Sequence, residues 1–155
     1  MGSAVGDGPA WALLTVWVVV NLVDLLQAVG FAARPGWGMG LNHRLGYAIA
    51  ALALPATVAA VAFARSGGGW LLWAGPLAFD AFVVLMLVVD YLRPVEFRSP
   101  PRPGILVPYL VLFFGSILLM GLPMFRVDRG LWAVTATTTV ALLASMGYAM
   151  ANGVG

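Results

Sequence analysis

The 155-residue chain has no cysteine, no lysine and one histidine, and these absences remove several kinds of chemistry before any motif is sought. Without thiols it cannot run thiol–disulfide exchange, hold an iron–sulfur cluster or build a thiolate metal site. All eight basic residues are arginine, so no side-chain amine is available for a Schiff base with retinal or another carbonyl cofactor. With His43 alone, a bis-histidine haem or an all-histidine metal centre would need several subunits. These residues therefore lead us to expect no cofactor and no metal. Charge is equally scarce, at 9% of residues against about 25% in soluble domains. Together with 62% hydrophobic residues, that excludes a soluble globular protein.

What is present is a series of apolar runs of about 20 residues, the length that crosses a hydrocarbon core about 30 Å thick. The runs predict an all-α polytopic membrane bundle of five transmembrane helices, 10–33, 45–64, 70–92, 105–125 and 131–151, forming one integral membrane domain over 1–155. Met1–Pro9 has no basic residue and precedes a run too long for a signal-peptide core, so the first helix is expected to be retained. Between the spans lie a glycine-rich segment, Arg34–Arg44, a tight turn, Arg65–Gly69, a proline- and arginine-rich loop, Arg93–Gly104, and a second turn, Arg126–Gly130. None is long enough to bury a core of its own.

Five spans put the termini on opposite sides. The amino-terminal side carries Arg65, Arg126 and Arg129; the other carries Arg34, Arg44, Arg93, Arg98 and Arg102. The positive-inside rule then places the amino terminus outside and the carboxyl terminus in the cytoplasm. Trp11, Trp70, Trp73 and Trp132 sort to the less basic side, and Tyr47, Tyr91, Tyr109 and Tyr148 to the more basic one, as interfacial aromatics should if the span count is right. The arginines point to anionic lipid headgroups rather than nucleic acid.

Acidic residues inside apolar spans carry the strongest functional signal, because a carboxylate near the bilayer centre costs about 2.5–3.5 kcal/mol on insertion scales. Counting about 1.5 Å per residue, Asp80 lies about 15 Å below Trp70 and Asp24 about 20 Å below Trp11, at neighbouring depths. Protonation relieves the cost of an unpaired carboxylate, so both are candidate proton carriers. Asn21, Asp24 and Gln27 form a polar stripe on the first span. Thr57, Ser116 and the threonines at 135, 137, 138 and 139 lie near the same depth, where they would line a cavity or simply bond helix to helix. Pro55 sits near the middle of the second span and frees a backbone carbonyl, which makes it a hinge candidate.

Arg93, Arg98 and Arg102, with Asp90 and His43, form a headgroup-facing group at the basic side, joined by Glu96. Met120 with Met124 and Met146 with Met150 have i, i+4 spacing that would suit Cu(I), but they fall at opposite ends of antiparallel spans and read as packing. No phosphate-binding loop, nucleophile elbow or HExxH box occurs. Three functions fit. The first is a small transporter or permeation protein for a proton-linked or weakly polar solute, with Asp24, Asp80, Asn21 and Gln27 as its polar layer and a homo-oligomer completing the cavity. The second is a noncatalytic subunit packed against a membrane-protein partner. The third is an enzyme acting on a lipid or quinone-like substrate at the basic face.

Overall fold

A computed structural model describes residues 8–98 and 100–154. The segment Met1–Asp7, expected to lead into the first helix, lies outside the described residues. Seven α-helices follow in order: α1 (Ala10–Trp37), α2 (Met39–Ala51), α3 (Ala53–Arg65), α4 (Trp70–Met86), α5 (Pro103–Gly121), α6 (Met124–Val127) and α7 (Arg129–Ala151). A π-helical stretch, Leu87–Leu92, continues α4. Joined across their short breaks, these make five helices long and apolar enough to cross a membrane. The protein is an all-α integral membrane bundle.

The five spans match the sequence expectation, but two of the breaks do not. Arg34–Arg44 is helical rather than a loop: α1 runs on through Pro35 to Trp37, and α2 starts at Met39. A single residue, Gly38, makes the corner at φ 66°, a backbone angle that favours glycine. Gly36 and Gly40 lie within ordinary helix, so glycine spacing was misleading there. Similarly, Arg126–Gly130 shrinks to Asp128, whose carboxylate caps α7 by accepting from the N–H groups of Gly130 and Leu131 at 2.7 and 3.0 Å. Arg65–Gly69 is the expected turn.

Within the second span the helix is interrupted at Leu52, between α2 and α3. Pro55 follows in the first turn of α3, where its missing N–H disturbs the ladder least. The break therefore falls where the proline predicts it.

α1 is the central element, packed on α7, α2, α3 and α5, while α4 packs on α3 and α5. The core is a run of valines on α1 (Val16, Val19, Val20, Val23) against alanines of α3 and the phenylalanines Phe79, Phe82 and Phe113. At the α4–α5 crossing a Cβ on Gly75 would lie 2.8 Å from the backbone of Leu119 and Met120, so only glycine permits that approach. Away from the core, α7 touches little except α1.

Candidate functional site

Asn21 and Asp24 of α1 bond to α7. Asn21 donates through Nδ2 to Thr135 Oγ1 at 3.0 Å and accepts from Thr138 at 2.9 Å. Asp24, fully buried, accepts at Oδ2 from Thr138 at 3.1 Å and Thr139 at 2.7 Å. Trp17 Nε1 extends the seam by donating to the carbonyl of Leu131 at 2.9 Å. Threonine suits this place because its one hydroxyl proton can turn to its own helix or to a neighbour, and Thr138 and Thr139 both also lie 2.9 Å from the Thr135 carbonyl. The second oxygen of Asp24, Oδ1, is buried without a partner.

Asp80 belongs to a different interface. The hydroxyl of Thr57, one turn into α3, lies 2.8 Å from both Asp80 Oδ2 and the Ala53 carbonyl, which share its one proton. Asp80 Oδ1 is likewise buried and unpartnered. The two carboxylates expected to share one polar layer thus sit in separate seams, α1–α7 and α3–α4. Each is tied to threonine.

The large cavity lies elsewhere, at the arginine-rich end of the bundle, with a volume of about 1220 Å³. That exceeds the roughly 300–1,000 Å³ of a drug-sized ligand pocket. Its lining combines polar side chains, among them Gln27, Arg34, Asn42, His43 and Arg98, with apolar ones, among them Phe113, Phe114 and Leu110 of α5 and Met146 and Met150 of α7. At the opposite end the void between Phe63, Leu72, Met120 and Met124 is about 10 Å³, room for no more than a single water. The large cavity thus lies at one end of the bundle and this small void at the other.

Three features build the polar part of the lining. The Gly38 corner makes Asn42 and His43 helical residues on α2, facing α1 and α4 rather than trailing in a loop. The π-helical turn carries Asp90 and Tyr91; its wider winding is a device often found at functional sites. Tyr91 donates to the His43 carbonyl at 2.6 Å, and the two rings lie 4.1 Å apart. The proline-rich loop folds inward, with Phe97 fully buried against Tyr109 at 5.2 Å.

Arg98 follows Phe97 into the protein and forms a two-pronged ion pair with Asp90, Nη1 to Oδ1 at 2.9 Å and Nη2 to Oδ2 at 3.2 Å. Tyr109 donates to the same Oδ2 at 3.2 Å. Burial works against the charge on Arg98, but the hydrogen bond and charge of Asp90, with help from Tyr109, outweigh it and hold the guanidinium pKa above its ordinary value.

Of the headgroup-facing candidates, Asp90, Arg98 and His43 therefore meet at the cavity, with Glu96 beside them. Arg93 and Arg102 are exposed and do not line it. Among the transport candidates Gln27 reaches the cavity, whereas Asp24 and Asn21 lie about one and two turns further along α1.

Arg34 was missed as a site residue because it was placed in a loop. It is 6% exposed, on the same helix as Asn21, Asp24 and Gln27, and following that helix face two turns past Gln27, beyond the expected helix end, would have found it. Asn42 and Tyr109 were also missed, since nothing in their spacing marks them. No protein family, characterised protein or solved structure matches this chain.

Proposed function

We propose that the protein is a small membrane transporter or permeation protein for a proton-linked or weakly polar solute, with the cavity at the arginine-rich end as its vestibule. The observation that carries this reading is the course of α1. Its cavity-lining residues Arg34, Phe31 and Gln27 lead along one helix to the buried Asp24 and Asn21. A one-sided cavity ending near a buried carboxylate is the geometry alternating access requires. One chain lines this cavity but leaves it partly open, so a second copy could still complete it. By the arginine distribution, the cavity opens to the cytoplasm and the amino terminus lies outside.

The accessory-subunit reading draws on α7, whose outward face exposes Val134, Val140 and Leu143. Lipid covers such a face as well as a partner does, whereas only a solute-handling role uses the cavity. The lipid-enzyme reading is weakened because Asp90, its best base, is already engaged by Arg98 and Tyr109.

Proton uptake into proteoliposomes under an imposed potassium diffusion potential, with a pH-sensitive dye inside, tests the proposal. Asp24→Asn should reduce uptake by at least about tenfold, the scale of losing one proton-transfer group. Asp80→Asn, away from the cavity helix, should reduce it less. Uptake equal to that of empty liposomes, or unchanged in Asp24→Asn, would reject the proton-linked assignment.

A further inference from the structure

Arg34 is a guanidinium taken out of solvent with no carboxylate of the described residues to match it. Its contacts are all neutral: Nη1 donates to the Val154 carbonyl at 3.3 Å, Nη2 to the Asn42 amide oxygen at 3.0 Å with that amide turned so that its nitrogen donates to the Gly30 carbonyl, and the Phe31 ring lies 4.1 Å away. Its Nε is buried without a partner. No carboxylate of the described residues lies within ion-pair distance of it, because Asp90 is paired to Arg98. A buried charge left without a partner is strongly destabilising, so an arginine held this way is a place suited to receive an anion.

The cavity wall says what else that anion should carry. Its charged residues are Arg34, Arg44 and Arg98 against Asp90 and Glu96, three positive to two negative. The same lining includes Phe113, Phe114 and Leu110 of α5 and Met146 and Met150 of α7. Methionines and aromatics of this kind conform to a flexible apolar chain. We infer that the cavity binds an amphiphile with one oxyanionic group, phosphate or carboxylate, set on Arg34 and an apolar chain laid along α5 and α7. Arginine is suited to that head because its planar fork matches the oxyanion bidentately. The inference rests on reading the cavity as the solute site and names the class of solute.

Native mass spectrometry of the full-length detergent-solubilised protein tests it, with dioctanoyl phosphatidic acid and dioctanoyl phosphatidylcholine as competing probes. Phosphatidic acid should be retained at least about tenfold over phosphatidylcholine. Arg34→Gln should lower that retention about tenfold or more, since a hydrogen bond to a charged group is worth that factor. Arg102→Gln removes the same charge outside the cavity and should leave retention within about twofold. Met146→Trp, which fills the apolar part of the lining and leaves Arg34 in place, should also weaken binding, and it serves if Arg34→Gln does not fold. Equal retention of the two lipids, equal losses in Arg34→Gln and Arg102→Gln, or no loss in Met146→Trp would overturn the inference. Displacement of phosphatidic acid by equimolar inorganic phosphate would also overturn it, by showing a site for free anions. Flux that depends on Asp24 without a phosphatidic acid preference would remove this inference and leave translocation standing. Lipid retention with flux indifferent to Asp24 would do the reverse.

Discussion

Asp90 shows how one carboxylate can organise an end of the protein. It receives both arms of Arg98 and the hydroxyl of Tyr109, and Arg98 in turn lies over the Phe97 ring at 4.2 Å. The carboxylate thereby holds the proline-rich loop against the bundle. Asp90→Asn should lower stability by about 1–3 kcal/mol, the range for hydrogen bonds to charged groups, read as a lower midpoint of thermal unfolding in detergent. Asp90→Asn with Arg98→Gln should lose less than the two single changes together, because the single change strands a charge that the double change removes. Additive losses would show that the pair does not act as a unit. Since the Arg98 pKa is held above its ordinary value, the stability linked to its charge is present below the unfolded value and is lost only as pH rises through the still higher folded one.

Among the elements, the contact of α4 with α5 is the most sensitive to volume. Gly75→Ala should destabilise by about 1–3 kcal/mol, the usual cost of overpacking, because the new methyl meets the α5 backbone. Gly115→Ala, in the same bundle with nothing within 4 Å of its Cβ position, should be neutral or stabilising; a matched loss at both sites would contradict the close approach. The spans themselves were legible because hydropathy over 20 residues outweighs any local signal. The corner between α1 and α2 was not, since Gly36, Gly38 and Gly40 look alike in sequence and only the tertiary path decides which one turns left-handed. Residue types likewise marked Asp24 and Asp80 as costly and polar-paired. They could not show that α7 would satisfy one and α3 the other, because which helices become neighbours is a property of the bundle. The cavity was illegible for the same reason: it is a gap between helices, and Arg34 became part of its wall only when the corner moved to Gly38.

For the molecule as a whole, the lack of cysteine makes sidedness directly measurable. Single cysteines introduced at Ser66 and Arg102 in intact cells should differ in reaction with a membrane-impermeant maleimide, with Ser66 labelled from outside and Arg102 only after the membrane is opened. The opposite pattern would reverse the orientation, and labelling of both from outside would break the five-span parity. The seam between α1 and α7 also sets an order of events in time. Asp24 and its threonine partners are separated by 114 and 115 residues of chain, and at a synthesis rate of about 5–20 residues per second roughly 6–23 s pass before α7 emerges. Throughout that interval the nascent protein holds a carboxylate in its first helix whose threonine partners do not yet exist. The last helix is in this sense a delayed clasp, and the newborn chain must shelter Asp24 by water, by a proton or by the insertion machinery until the clasp arrives.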